Sequence, residues 1–118
     1  MHLSAGDLLR AERKSGSSQG DMIERYISEG RIVPVAVTVS LIKAAMEKSG
    51  ATRFLVDGFP RNQDNLQGWQ DTMSELADVE FVLFYDTDDE TRLGRLLKRA
   101  ETSGRSDDKK DVILKRFK

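Results

Sequence analysis

Two short, continuous apolar runs constrain this chain more than any other feature: Arg53–Phe59, RFLVDGF, and Glu80–Asp86, EFVLFYD. Runs of this length without polar alternation suit strands buried on both faces. Between them Leu66, Trp69, Met73 and Leu76 recur at helical intervals, which predicts an amphipathic helix from about Gln63 to Leu76 whose stripe faces the core. After the second run, Thr87 with Glu90 three residues on has the form of a capping box ahead of Leu93, Leu96 and Leu97. Strands separated by helices indicate a parallel sheet with helical crossovers, and such sheets take ligands beyond the carboxyl ends of their strands. Asp57 and Gly58 close the first run at that end.

The flanking sequence reads as helices. Ser4 before Ala5, Gly6 and Asp7 is placed to cap a helix opening at residue 5 and carrying Leu8 and Leu9. Ser15 to Gly20 is turn-rich, after which Met22, Ile23, Tyr26 and Ile27 predict a second helix up to Gly30. Val33 to Val39 alternates like a strand. Pro34, however, suits a helix's first turn, and LIKAAMEK continues with good helix formers, so the reading is a helix ending at Ser49 and Gly50. From Arg99 the pattern gives way to a polar segment, AETSGRSDDKKD, suited to a flap. A last helix is expected to begin within Asp107–Lys118, which carries Val112, Ile113 and Phe117. At 118 residues the chain has the length of one domain, without internal repeats.

Composition removes several classes of function. With 19 basic and 20 acidic residues, the formal charge of −1 argues against a surface built for nucleic-acid polymers. The absence of Cys excludes disulfides and thiolate chemistry, and the single His2 excludes a His pair on zinc. No apolar run approaches the roughly 18 residues of a membrane span, and the first residues lack a secretory pattern, so no membrane association is expected. The cytoplasm is the default compartment, with the nucleus as a second. Chemistry must rest on carboxylates, arginines and backbone.

Asp57-Gly58-Phe59-Pro60-Arg61 meets that requirement. A carboxylate there can hold the water shell of Mg²⁺, Gly58 allows close backbone approach to a ligand, and Arg61 offers a planar fork for phosphate. Taken alone, the five residues fit an ordinary strand-to-helix turn with a solvated arginine equally well.

Four segments together narrow the choice: VDGFPRNQDNLQGW (Val56 to Trp69), HLSAGDLLR (His2 to Arg10), EGRIVPV (Glu29 to Val35) and SGRSDD (Ser103 to Asp108). In order and spacing they resemble the nucleoside monophosphate kinases of the adenylate kinase family, most closely the UMP-CMP kinase group. The resemblance implies an α/β fold, a three-layer P-loop kinase-like parallel sheet with helical crossovers. It also implies a monomeric enzyme of pyrimidine nucleotide metabolism that phosphorylates UMP and CMP, with dCMP as a further candidate, from ATP. By the same resemblance Arg10 and Arg61 grip the acceptor's phosphate, and residues 4–33 form the monophosphate-binding segment. Ser4 marks its start, while Arg31, Ile32 and Val33 mark its end against base and ribose; Ile32 and Val33 fit plain core equally well. Gly58, Phe59 and Pro60 belong to the same acceptor turn. Asn65 would face the pyrimidine edge, its amide turning to suit cytosine or uracil. Arg99, Arg105 and Arg116 match the catalytic arginines associated with the lid, residues 98–108; read without the family, Arg92, Arg95, Lys98 and Arg99 form one solvated basic helix face and Lys109 to Lys118 a charged tail. Asp57 matches the carboxylate that holds Mg²⁺ through water, the metal accompanying ATP.

In that family a G-x-x-x-x-G-K phosphate loop follows a strand lying between those matched by the two apolar runs, and these 118 residues contain no such motif. The expectation is therefore an incomplete kinase domain without its central strand, inactive alone toward ATP. Two alternatives are a non-catalytic nucleotide-binding module and a structural fragment that folds against a partner's strand.

Overall fold

The computed structural model describes residues 1–105 and 108–116. Its elements run β1 (His2–Ser4), α1 (Ala5–Lys14), α2 (Ser18–Ser28), α3 (Val35–Ser49), β2 (Leu55–Asp57), α4 (Gln63–Met73), α5 (Asp89–Ser103) and α6 (Lys110–Arg116). They fall into two compact units, one formed by Met1–Ile23 with Val33–Glu80, the other by Glu24–Ile32 with Phe81–Lys118.

The first unit is built on a parallel pair in which His2, Leu3 and Ser4 register with Leu55, Val56 and Asp57. Period-two alternation sends Leu3 and Val56 to one face. There they join a core centred on Leu3, Ala5 and Ile42, against which Leu8, Met46, Phe54, Phe59 and Trp69 pack. Ser4 caps α1, its hydroxyl accepting from the Asp7 N–H at 3.2 Å. Pro34 stands at the N-cap of α3, which runs to Ser49 as expected. The second helix begins earlier than its apolar spacing suggests, because Ser17 accepts from the Gly20 N–H at 3.0 Å and so opens α2 at Ser18. Helix α4 is shorter than expected: it ends at Met73, and Leu76 lies exposed beyond it. Leu66 is exposed too, so the buried face of α4 is carried by Asn65 and Met73 with Trp69 half-buried.

The second unit packs α5 against α6 through Val112 and Ile113, both buried. Asp88, not Thr87, caps α5, its carboxylate accepting from both the backbone N–H and the hydroxyl of Thr91 at 2.8 Å. Those hydrogen bonds hold the Asp88 carboxyl below its ordinary pKa. The helix also continues past Arg99 to Ser103, so the first third of the expected flap is part of α5. Asp107 and Phe117, counted in the expected last helix, lie outside the described residues.

One expectation fails outright. Residues 80–86 form no strand: among the described residues the sheet has two strands only, and Phe81 to Tyr85 are all exposed, Phe84 and Tyr85 to 81%. A strand exists by hydrogen bonding to a neighbour, and among the described residues none pairs with this run. The three-layer sheet is correspondingly reduced to an incomplete α/β core. Among the described residues no helix is long and apolar enough to cross a membrane.

Candidate functional site

The parallel register fixes where chemistry can gather. Ser4 and Asp57 are partners on the last rung, so the N-terminus of α1 and the turn after β2 open at the same carboxyl end of the sheet. Arg10 folds back toward this end. Its guanidinium pairs with the Asp7 carboxylate one turn earlier and lies about 3.0 Å from where a Cβ on Gly6 would stand. The side chain is only 21% exposed, held over the first turn of its own helix.

Arg61 is held to the same end by the turn itself. Gly58 adopts φ 78°, a left-handed conformation that glycine takes without steric cost, and its carbonyl accepts from Arg61 Nε at 2.9 Å. The Phe59–Pro60 peptide is cis. Phe59 packs on Trp69 of α4, ring centroids 5.9 Å apart, which anchors the turn to that helix. Asn62 caps α4 by accepting from the Asn65 N–H at 2.8 Å, while Asn65 Oδ1 accepts from the Arg61 N–H at 3.1 Å. Asn65 is 4% exposed. Two guanidiniums and a buried amide are thus set around one sheet end by short-range hydrogen bonds. The bond from the Arg61 N–H to Asn65 Oδ1 favours one orientation of the amide over the flipped one.

Asp57 is exposed, its carboxylate 3.7 Å from His2 Nε2. Among the described residues no three His, Cys, Asp or Glu side chains gather as a metal cage. A lone solvent-facing carboxylate is nevertheless a donor set that suits Mg²⁺, which keeps most of its waters and takes few protein oxygens. The residues fit the water-mediated role and no more.

The remaining candidates divide. Val33 is buried in the first unit and behaves as core, whereas Ile32 is exposed. Arg31, in the second unit with Ile32, stacks over Tyr26 at 4.6 Å and pairs with Glu29 at 3.2 Å. Arg99 is bound to Asp108 through two hydrogen bonds, Nε to Oδ2 at 3.0 Å and Nη2 to Oδ1 at 2.5 Å, and Ser103 Oγ donates to the same carboxylate. Arg105 follows Gly104 on the connecting loop, its N–H donating to Ser103 Oγ at 3.2 Å. Arg116 ends α6; its side chain lies outside the described residues.

The Arg99–Asp108 pair has a pH signature. Burial pushes the Asp108 carboxyl up, but hydrogen bonds from Arg99 and Ser103 and the charges of Arg99 and Arg105 outweigh it, so the group sits below its ordinary range. A depressed folded pKa contributes stability that is complete above the unfolded value of about 3.9 and is lost as pH falls through the lower folded value. Removing Arg99 strands a carboxylate that is 2% exposed, whereas removing the charge of Asp108 leaves a guanidinium that is already 40% exposed. Arg99→Ala is therefore expected to destabilise the α5–α6 contact by about 3 kcal/mol and Asp108→Asn by about 1 kcal/mol. Amide exchange across α6 at pH 7 reads this order, and the reverse order would contradict it.

The family model described as Adenylate kinase matches residues 1–118. The chain belongs to the adenylate kinase family. Within that family it is 58% identical over 122 residues to UMP-CMP kinase of Gallus gallus, 57% to that of Xenopus tropicalis and 55% to that of Homo sapiens. Each match covers 98% of this chain and 62% of the relative, so the chain spans less than two thirds of the length of the curated relatives it matches. Membership of the adenylate kinase family agrees with the resemblance carried by the four segments and with an incomplete P-loop kinase fold.

Sequence reasoning passed over several residues that the geometry brings in. Asp7 could have been found, since it stands three residues before Arg10 on a helix, a spacing at which opposite charges meet. Ser103 and Asp108 bound the SGRSDD segment quoted for the resemblance, but their meeting with Arg99 has no local signal, because it depends on the turn at Gly104.

Proposed function

We propose that this chain is the acceptor-binding part of a UMP-CMP kinase, taking UMP, CMP and dCMP as phosphoryl acceptors, with ATP as the donor. The observation that carries this reading is the Arg61 N–H to Asn65 Oδ1 hydrogen bond, which joins a phosphate-directed arginine and a buried amide in one rigid turn. Family membership and the UMP-CMP kinase relatives support it.

In this reading Arg10 and Arg61 neutralise the acceptor's phosphate. Charge-assisted bonds of this type contribute about 1.5–3 kcal/mol each. The bond from Arg61 N–H leaves the Asn65 NH₂ group to face the base. The 2-carbonyl oxygen is an acceptor at the same position in cytosine and uracil, so one fixed donor aimed there serves either base and no amide flip is needed. Ser4, Gly58, Phe59 and Pro60 shape the floor of the acceptor site, with Arg31, Ile32 and Val33 at the end of the monophosphate-binding segment. Arg99, Arg105 and Arg116 are the lid arginines; for Arg99 to reach a phosphate, phosphate oxygens take the place of those of Asp108. Asp57 would hold, through water, the Mg²⁺ that accompanies ATP, which would supply charge neutralisation on the donor. For the complete kinase, this reading implies a monomer of the cytoplasm, with the nucleus as a second compartment.

Calorimetric titrations with CMP and with inorganic phosphate test the assignment. Arg61→Ala is expected to weaken both by about 10- to 100-fold. Asn65→Ala is expected to weaken CMP about tenfold and phosphate much less. Equal losses for both ligands in Asn65→Ala would remove the base-facing role.

A further inference from the structure

Helix α4 meets the start of α3 at one point where no side chain fits. A Cβ built on Gly68 would lie 2.4 Å from Val35 Cγ2, 2.9 Å from Cγ1 and 3.2 Å from Cβ. Real Cβ atoms essentially never come this close, and Val35 gives way poorly because its β-branched side chain is stiff at χ1. Gly94 supplies the contrast, a helical glycine of α5 with nothing within 4 Å of its own Cβ position. Glycine inside a helix is ordinarily less favourable than alanine, so its presence at position 68 is explained by the contact.

The two helices meet next to the candidate acceptor site. Asn65 stands three residues before Gly68, on the same face of α4. Just ahead of the other helix, Val33 lies buried two residues before Val35, at the end of the segment read as lining the acceptor's base and ribose. The van der Waals contact of Gly68 with Val35 therefore sets the spacing between the base-facing amide and that segment.

We infer that Gly68 is a positioning residue for the acceptor's base: by admitting Val35 against bare backbone, it fixes the width of the site at Asn65. The inference rests on the pyrimidine-acceptor reading above. A methyl group at position 68 displaces the start of α3 from α4, which alters the distance across the base while leaving the Arg10 and Arg61 anchors in place.

The test uses the full chain with CMP and inorganic phosphate as separate probes. Gly68→Ala is expected to weaken CMP about tenfold, a change near that of losing one hydrogen bond, and to leave phosphate binding within about twofold. It lowers the unfolding temperature, whereas Gly94→Ala raises it. Val35→Ala removes the obstructing methyls, so Val35→Ala with Gly68→Ala should bind CMP as Val35→Ala alone does; this double variant decides the matter if Gly68→Ala alone fails to fold. Gly68→Ala binding CMP like the wild type, equal losses of CMP and phosphate, or a double variant no better than Gly68→Ala would each overturn the inference. A wild-type chain that binds phosphate but shows no preference for CMP would overturn the pyrimidine reading itself, and with it the role of Gly68 at the base. The temperature shifts would still report the contact with Val35.

Discussion

The 118-residue chain, mixed with CMP and Mg-ATP, is expected to form CDP no faster than the enzyme-free blank. Phosphoryl transfer asks a protein to position two nucleotides and neutralise the charge between them. The sequence supplies arginines and an acceptor turn, but no G-x-x-x-x-G-K loop whose backbone N–H groups would hold the donor's phosphates. Of the lid arginines, Arg99 is engaged with a buried carboxylate, which orders it without placing a donor beside it. Binding and turnover should therefore separate completely: CMP binds, and no product appears. Product formation that disappears on Arg61→Ala would contradict this and would require a donor site of another kind.

The second large effect concerns Phe81–Tyr85. Five consecutive apolar residues stand exposed, and among the described residues none pairs in a sheet. Unpaired backbone beside β-branched and aromatic side chains, with no Pro and no charge inside the run, is the combination that recruits other strands. Sedimentation velocity is expected to show reversible self-association of the chain growing with concentration from the micromolar range. Leu83→Lys with Tyr85→Lys should abolish it, since charge on an edge opposes pairing. A wild-type chain that stays monomeric at the highest accessible concentration would contradict the prediction.

The same run shows where sequence reading stops. Its apolar pattern identifies a segment with strong strand tendency, but a strand is a property of two neighbours, and tendency without a neighbour leaves exposed coil. The first run fared better in pairing, since His2–Ser4 pairs with Leu55–Asp57, but not in burial on both faces, since Leu55 is 61% exposed; three residues were too few for β1 itself to be legible. Features fixed within a few residues were read well: Ser4 as the cap of α1, Pro34 at the start of α3, and Gly58 at a sharp turn bearing Arg61. The boundaries of α4 and α5 moved because helix ends respond to the nearest workable cap, Asp88 for α5. Contacts made through tertiary structure, Arg99 with Asp108 and Gly68 with Val35, had no sequence signature at all. The candidate residues were legible through family resemblance, whereas the restraint on the Asn65 amide needed the geometry of its bond with Arg61.

These residues alone are expected to hold an acceptor site for a pyrimidine nucleoside monophosphate. Isothermal titration of the unmodified chain with CMP tests it most directly. Saturable binding at one site per chain, tighter than that of inorganic phosphate, is expected; absence of binding, or affinity equal to that of phosphate alone, would remove the acceptor site.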